Sequence, residues 1–179
     1  MKPILIAAIF IIILVACLIL RSKRDPVGVI RSGVIDDNIE VVREYLDAGG
    51  DPDLSIRSGG SYKSQTHLIH LAAQAGSFRV CKLLIESGVD VDATDFSGRT
   101  PIMCVFAYDV CQDRRKKIFG LFLLKSNLKI ADHSGMNILH YSALFGNESF
   151  YRQIVEVDPT LEKVEDSTGR TPREILEER

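Results

Sequence analysis

The four histidines and four cysteines are the side chains of this 179-residue sequence best suited to chemistry. His67 and His70 stand three apart in HLIH, a spacing that places two imidazoles on one helix face and would open a zinc site. No further ligand set follows them, so no metal is expected. Cys81, Cys104 and Cys111 are an odd number with no framework spacing, which reads as free thiols in a reducing compartment. Cys111 has no histidine near it in sequence to take its proton. Neither a phosphate-binding glycine loop nor a G-x-S-x-G turn occurs. No catalytic residue, cofactor or small-molecule substrate is expected.

Composition narrows the classes further. The chain is 46% hydrophobic and 26% charged, a balance that suits a packed domain and argues against wholesale disorder. A formal net charge of -2 gives no reason to expect a nucleic acid, which needs a basic face. The dense basic run RRKK at 114–117 reads as a solvated loop, with a phosphate or lipid patch as the other reading.

The apolar residues are unevenly spread. ILIAAIFIIILVACLIL at 4–20 is an unbroken run of about 17 residues, near the lower limit for a membrane span. As a helix it covers roughly 26 Å, close to a hydrocarbon core if Lys2 and Arg21 reach the two interfaces. The sequence after Leu20 lacks the small-x-small site of a cleaved signal. Leu14-Val15-Ala16-Cys17 resembles a bacterial lipobox, which would acylate Cys17 and hold the rest in the periplasm. The expectation is an uncleaved single-pass anchor in the cell membrane over residues 1–24. Arg21, Lys23 and Arg24 after the run favour a cytoplasmic carboxyl-terminal domain.

What positions the remaining residues is a repeat. HLIH, TPIM, NILH and TPRE begin at 67, 100, 137 and 171, in steps of 33, 37 and 34 residues. DFSGRTP at 95–101 returns as DSTGRTP at 166–172. A period near 33 with T-P-L-H-x-A-like starts resembles the ankyrin repeat. The resemblance covers residues 25–179, in approximate units 25–54, 66–95, 96–132, 133–165 and 166–179. It implies an all-α solenoid of about four and a half helix-turn-helix units, and the apolar run adds the expectation of one transmembrane helix before it.

Each residue type then has a place. Leu83 and Leu84 belong to the buried stripe of a second helix, and Gly76 and Gly88 end helices. Gly98 permits a tight turn, Thr100 is expected to cap the next helix with its hydroxyl, and Pro101 takes its first position. Gly169, Thr171 and Pro172 repeat those roles. The first helix of the first unit, near 28–35, is degenerate, as in a capping unit. The resemblance gives His70 and His140 a structural duty, tying neighbouring units together through backbone hydrogen bonds. Cys81 and Cys104 fall at core positions.

Two connections are longer than the repeat needs: LSIRSGGSYKSQT before His67, and AYDVCQDRRKK at 107–117. Solenoid insertions often mark the binding face. The resemblance implies a non-catalytic module that binds another protein through turn tips, first helices and inserted loops, and the apolar run at 4–20 would tether it to the membrane. The candidate contacts are Arg57, Tyr62, Lys63, Thr94, Phe96, Tyr108 and Phe145. A dedicated inhibitor of immunity type, neutralising a toxin or lipase at a bacterial membrane, is the alternative.

Overall fold

The computed structural model describes residues 25–57, 65–106, 111–145 and 147–179. The proposed anchor at 4–20 and Cys17 therefore lie outside the described residues, among which no helix is long and apolar enough to cross a membrane.

Helices come in pairs. Helix α1 (Pro26–Ile35) packs on α2 (Ile39–Asp47), and α3 (Leu68–Ala75) on α4 (Phe78–Glu86). Helix α5 (Pro101–Cys104) pairs with α6 (Gln112–Leu123), and α7 (Ile138–Leu144) with α8 (Glu148–Val157). A short 3-10 helix, Pro159–Lys163, leads to the last helix, α9 (Pro172–Glu177). The first helices α1, α3, α5, α7 and α9 stack on one another in order. Of the second helices, α2 stacks on α4 and α4 on α6. The core runs between these two layers, with Leu68, Leu84, Ile102, Phe119, Phe122, Leu139 and Ile154 fully buried along it.

Four features differ from the sequence expectation. First, the chain is not wholly helical. Strands β1 (Ser55–Arg57) and β2 (Gln65–His67) pair antiparallel, with Ile56 opposite Thr66 and both buried. Alternate β-branched residues suit a half-buried strand pair, and they turn the first long connection into a hairpin. Second, α1 starts two residues earlier than the expected 28–35, begun by the Asp25 carboxylate on Val27 N at 3.1 Å and by Pro26 at its first position. Third, RRKK is helical: α6 starts at Gln112, and its run carries Ile118, Phe119 and Phe122 into the core. The buried stripe at i, i+1 and i+4 outweighs the solvation of four cations.

The fourth difference is at Thr100. It holds the N-cap position of α5, yet its hydroxyl makes no capping bond and is buried without a partner among the described residues. Helix α5 is one turn long, and Val105 and Phe106 bend straight into the core. Phe106 packs edge-on against Phe119 and Phe150, at 5.8 and 5.5 Å between ring centres. Thr171 and Asn137 cap α9 and α7 in full capping boxes. The fold is thus a stack of helix pairs whose turns at 95–98, 132–135 and 166–169 lie along one edge.

Candidate protein-binding edge

An aspartate organises each of three successive turns. The Asp95 carboxylate accepts from the Ser97 and Arg99 amides at 2.8 and 3.0 Å. It also takes two bonds from the Arg99 guanidinium, at 2.9 and 2.7 Å, while its side chain is fully buried. Asp132 likewise accepts from the Ser134 and Met136 amides and from the Tyr141 hydroxyl. Asp166 accepts from the Thr168 and Arg170 amides and from the Thr168 hydroxyl at 2.6 Å. Burial opposes ionisation of Asp166, but the bonds from Thr168 and Arg170 outweigh it and hold its carboxyl well below the usual range. A carboxylate that accepts this many backbone donors fixes the loop around it.

Backbone hydrogen bonds then join turn to turn. Phe96 N donates to Gln65 O at 3.2 Å, His133 N to Ser97 O at 3.0 Å, and Ser167 N to Ser134 O at 2.8 Å. The turns must approach closely for this. A β-carbon on Gly98 would stand 2.8 Å from the His133 ring and 3.0 Å from its amide, and Gly98 has φ +79°. The result is one continuous ribbon along the solenoid, with Phe96, His133, Ser134, Ser167 and Thr168 exposed on it.

The histidines lie beneath this ribbon and hold it. His70 Nε2 donates to Arg99 O at 2.9 Å, and His140 Nε2 to Arg170 O at 3.2 Å, each reaching into the next unit. Burial lowers the His70 pKa to about 4 and lowers that of His140 as well. Both imidazoles are therefore neutral at pH 7. No group of three or more His, Cys, Asp or Glu that could hold a metal occurs among the described residues. Burial pushes the Cys104 thiol up to about 12 and the Cys81 thiol higher, so neither supplies a thiolate. Cys111 is exposed at the start of α6.

The structure brings some of the predicted contacts together. Arg57 ends β1 opposite Gln65, whose carbonyl receives the Phe96 amide, so Arg57 and Phe96 share the ribbon. Thr94 is exposed one residue before the buried Asp95. Phe96 is 49% exposed, with the Arg99 guanidinium 5.9 Å from its ring centre. Phe145 does not join them. It caps the far end of α7, 45% exposed, and stacks on Tyr141 at 6.4 Å. Tyr62, Lys63 and Tyr108 lie outside the described residues. His133, Ser134, Ser167 and Thr168 are not among the contacts predicted from the sequence. The D-x-x-G pattern at 95–98, 132–135 and 166–169 marks them, because the two residues after the aspartate form the tip.

Comparison with known proteins agrees with this geometry. Residues 33–113 match the family described as ankyrin repeats (3 copies). Human inversin is 30% identical over 158 residues, which is 86% of this chain and 14% of inversin. A probable E3 ubiquitin-protein ligase of rice, XBOS32, is 29% identical over 126 residues, 69% of this chain and 24% of that protein. The NF-kappa-B inhibitor cactus of Drosophila melanogaster is 30% identical over 105 residues, 58% of this chain and 20% of cactus. The chain thus spans a quarter or less of the length of these relatives. With three copies matched by the family model, and with buried aspartates and cross-unit histidines recurring from turn to turn, the chain carries ankyrin repeats.

Proposed function

We propose that this chain is a non-catalytic protein-binding module, tethered to the cell membrane by residues 4–20 with its repeats on the cytoplasmic side. The observation that carries the binding half is the ribbon of turns. It is rigid, because backbone bonds link successive tips, and it displays an aromatic anchor, Phe96, among small polar residues. A preorganised edge with one large exposed ring suits a binding hot spot. Among the relatives, cactus is by name an inhibitor of another protein, which is the same class of work. The tether rests on the apolar run, and the side on Arg21, Lys23 and Arg24.

Photo-crosslinking in cells tests the binding half. A photoreactive phenylalanine analogue at Phe96 or His133 of the full-length chain should give a discrete protein adduct. The same analogue at exposed Glu156, on α8, should not. Adducts of equal yield from both sides would sink the reading.

A further inference from the structure

Helix α6 breaks a local rule. Four cations, Arg114 to Lys117, crowd the first half of a helix, where the dipole favours acids, and its first turn carries one acid, Asp113. The other second helices are mixed: α2 carries Glu40, Arg43, Glu44 and Asp47, α4 carries Arg79, Lys82 and Glu86, and α8 carries Glu148, Arg152 and Glu156. Their cations are paired where they face acids, as in Arg79 with Asp37, Lys82 with Glu86 and Arg152 with Glu148. Arg114, Lys116, Lys117 and the following Lys125 form no ion pair within the described residues, and the Lys117 ammonium stands 6.0 Å from the Phe78 ring centre on α4. All four are exposed. Opposite the buried Ile118, Phe119 and Phe122, the outward face reads Asp113, Lys116, Lys117, Gly120 and Leu124 at helical spacing, while Leu121 is half-buried against the core. Leu124 is 83% exposed, the most exposed large apolar residue described.

We infer that the outward face of α6 docks on an anionic lipid surface, with Leu124 entering the headgroup region between Lys117 and Lys125. The inference rests on the membrane tether proposed above. An exposed apolar side chain on a helix face that also carries cations without ion pairs is the chemistry of an interfacial helix. The tether supplies the surface. The run at 4–20 is apolar all round, so a single protein groove would leave most of it in water and a bilayer covers it. Residues 21–24 allow a reach of only about 14 Å before α1 begins. Helices in contact lie 8–10 Å apart, which puts α6, two units on from α2 in the same layer, roughly 20 Å along the solenoid. The strip is therefore held within reach of the membrane that anchors the chain. With α6 on the lipid, the first helices and their turns lie on the side away from it.

The sequence has no tryptophan, so Leu124→Trp places a single reporter in the full-length chain. The protein is bound to vesicles of brominated phosphatidylcholine, with or without phosphatidylglycerol, and Phe96→Trp serves as the reference. Sedimentation with the neutral vesicles reads the tether alone. The docking predicts strong quenching of L124W in phosphatidylglycerol vesicles, little in neutral ones, and none for F96W in either. Adding K116Q and K117Q should shift the docked-to-undocked ratio by about 30-fold, and raised salt should act in the same direction. If the chain sediments but L124W is quenched no more than F96W, the docking is wrong and the tether stands. Equal quenching in neutral vesicles also overturns it, because the cations would then play no part. If K116Q/K117Q weakens only the adduct crosslinked at Phe96, the strip serves a protein and the lipid assignment fails. A chain that stays in the supernatant removes the tether and the docking together.

Discussion

His70 and the Arg99 carbonyl are 2.9 Å apart, and the bond between them crosses from one repeat into the next. His70 has no solvent exposure, and its other ring nitrogen has no partner among the described residues. The imidazole is a strut under the turn ribbon, held neutral by burial.

Acid should remove that strut. The His70 pKa is lowered by burial to about 4, against about 6.5 in an unfolded chain, so folding disfavours its proton. Its contribution to stability is complete above about pH 6.5 and is lost as the pH falls towards 4, up to about 3 kcal/mol in all. Urea unfolding of the wild type and of His70→Gln across this range checks it. The difference in pH slope between the two should fall in that window, and identical slopes would show that His70 is not held neutral.

The two threonines of the repeated GRTP should not be equivalent. Thr171→Ala breaks a capping box and should cost about 1 kcal/mol. Thr100 makes no capping bond and its hydroxyl is buried unpartnered, so Thr100→Ala should cost less than Thr171→Ala. Chemical denaturation of both variants decides the order.

Glycines at equal φ should differ as well. Gly88 and Gly98 both have positive φ, +84° and +79°, but a β-carbon at Gly88 meets nothing within 4 Å. Gly88→Ala should cost about 1 kcal/mol for conformation alone. Gly98→Ala adds a clash with the His133 ring and backbone, and should cost clearly more. Thermal melts showing the two variants alike would mean that the turns are not packed tip to tip.

How much of this was legible beforehand follows from what sets each feature. The helix pairs were readable because Val80, Leu83 and Leu84 recur at helical spacing and Gly76 and Gly88 punctuate them. The histidine duty was readable only through the family resemblance. The hairpin at 55–67 was missed because three-residue strands are too short for alternation to show. The helicity of RRKK was missed because its apolar partners, Ile118, Phe119 and Phe122, follow the charges and do not alternate with them. The aspartates of D-x-x-G were seen as a pattern but given no role, since their partners are backbone amides that no residue type reveals.

Leu84 tests the core. It is fully buried, so Leu84→Ala should cost roughly 2–5 kcal/mol. In a nearest-neighbour solenoid the loss should spread to adjoining units. Hydrogen exchange that weakens only in α4, with α2 and α6 unchanged, would contradict the stacking of the second helices.

The central claim is that binding lives on the turn ribbon while the buried histidines serve only the fold. The most direct measurement is titration of the partner identified by crosslinking against Phe96→Ala and His140→Ala, each paired with a thermal melt. Phe96→Ala should weaken binding by about 2 kcal/mol or more, with its melting temperature unchanged. His140→Ala should lose about 1–3 kcal/mol of stability and bind in proportion to the fraction folded. A folded His140→Ala protein with no activity, beside a Phe96→Ala protein that binds normally, would contradict the account.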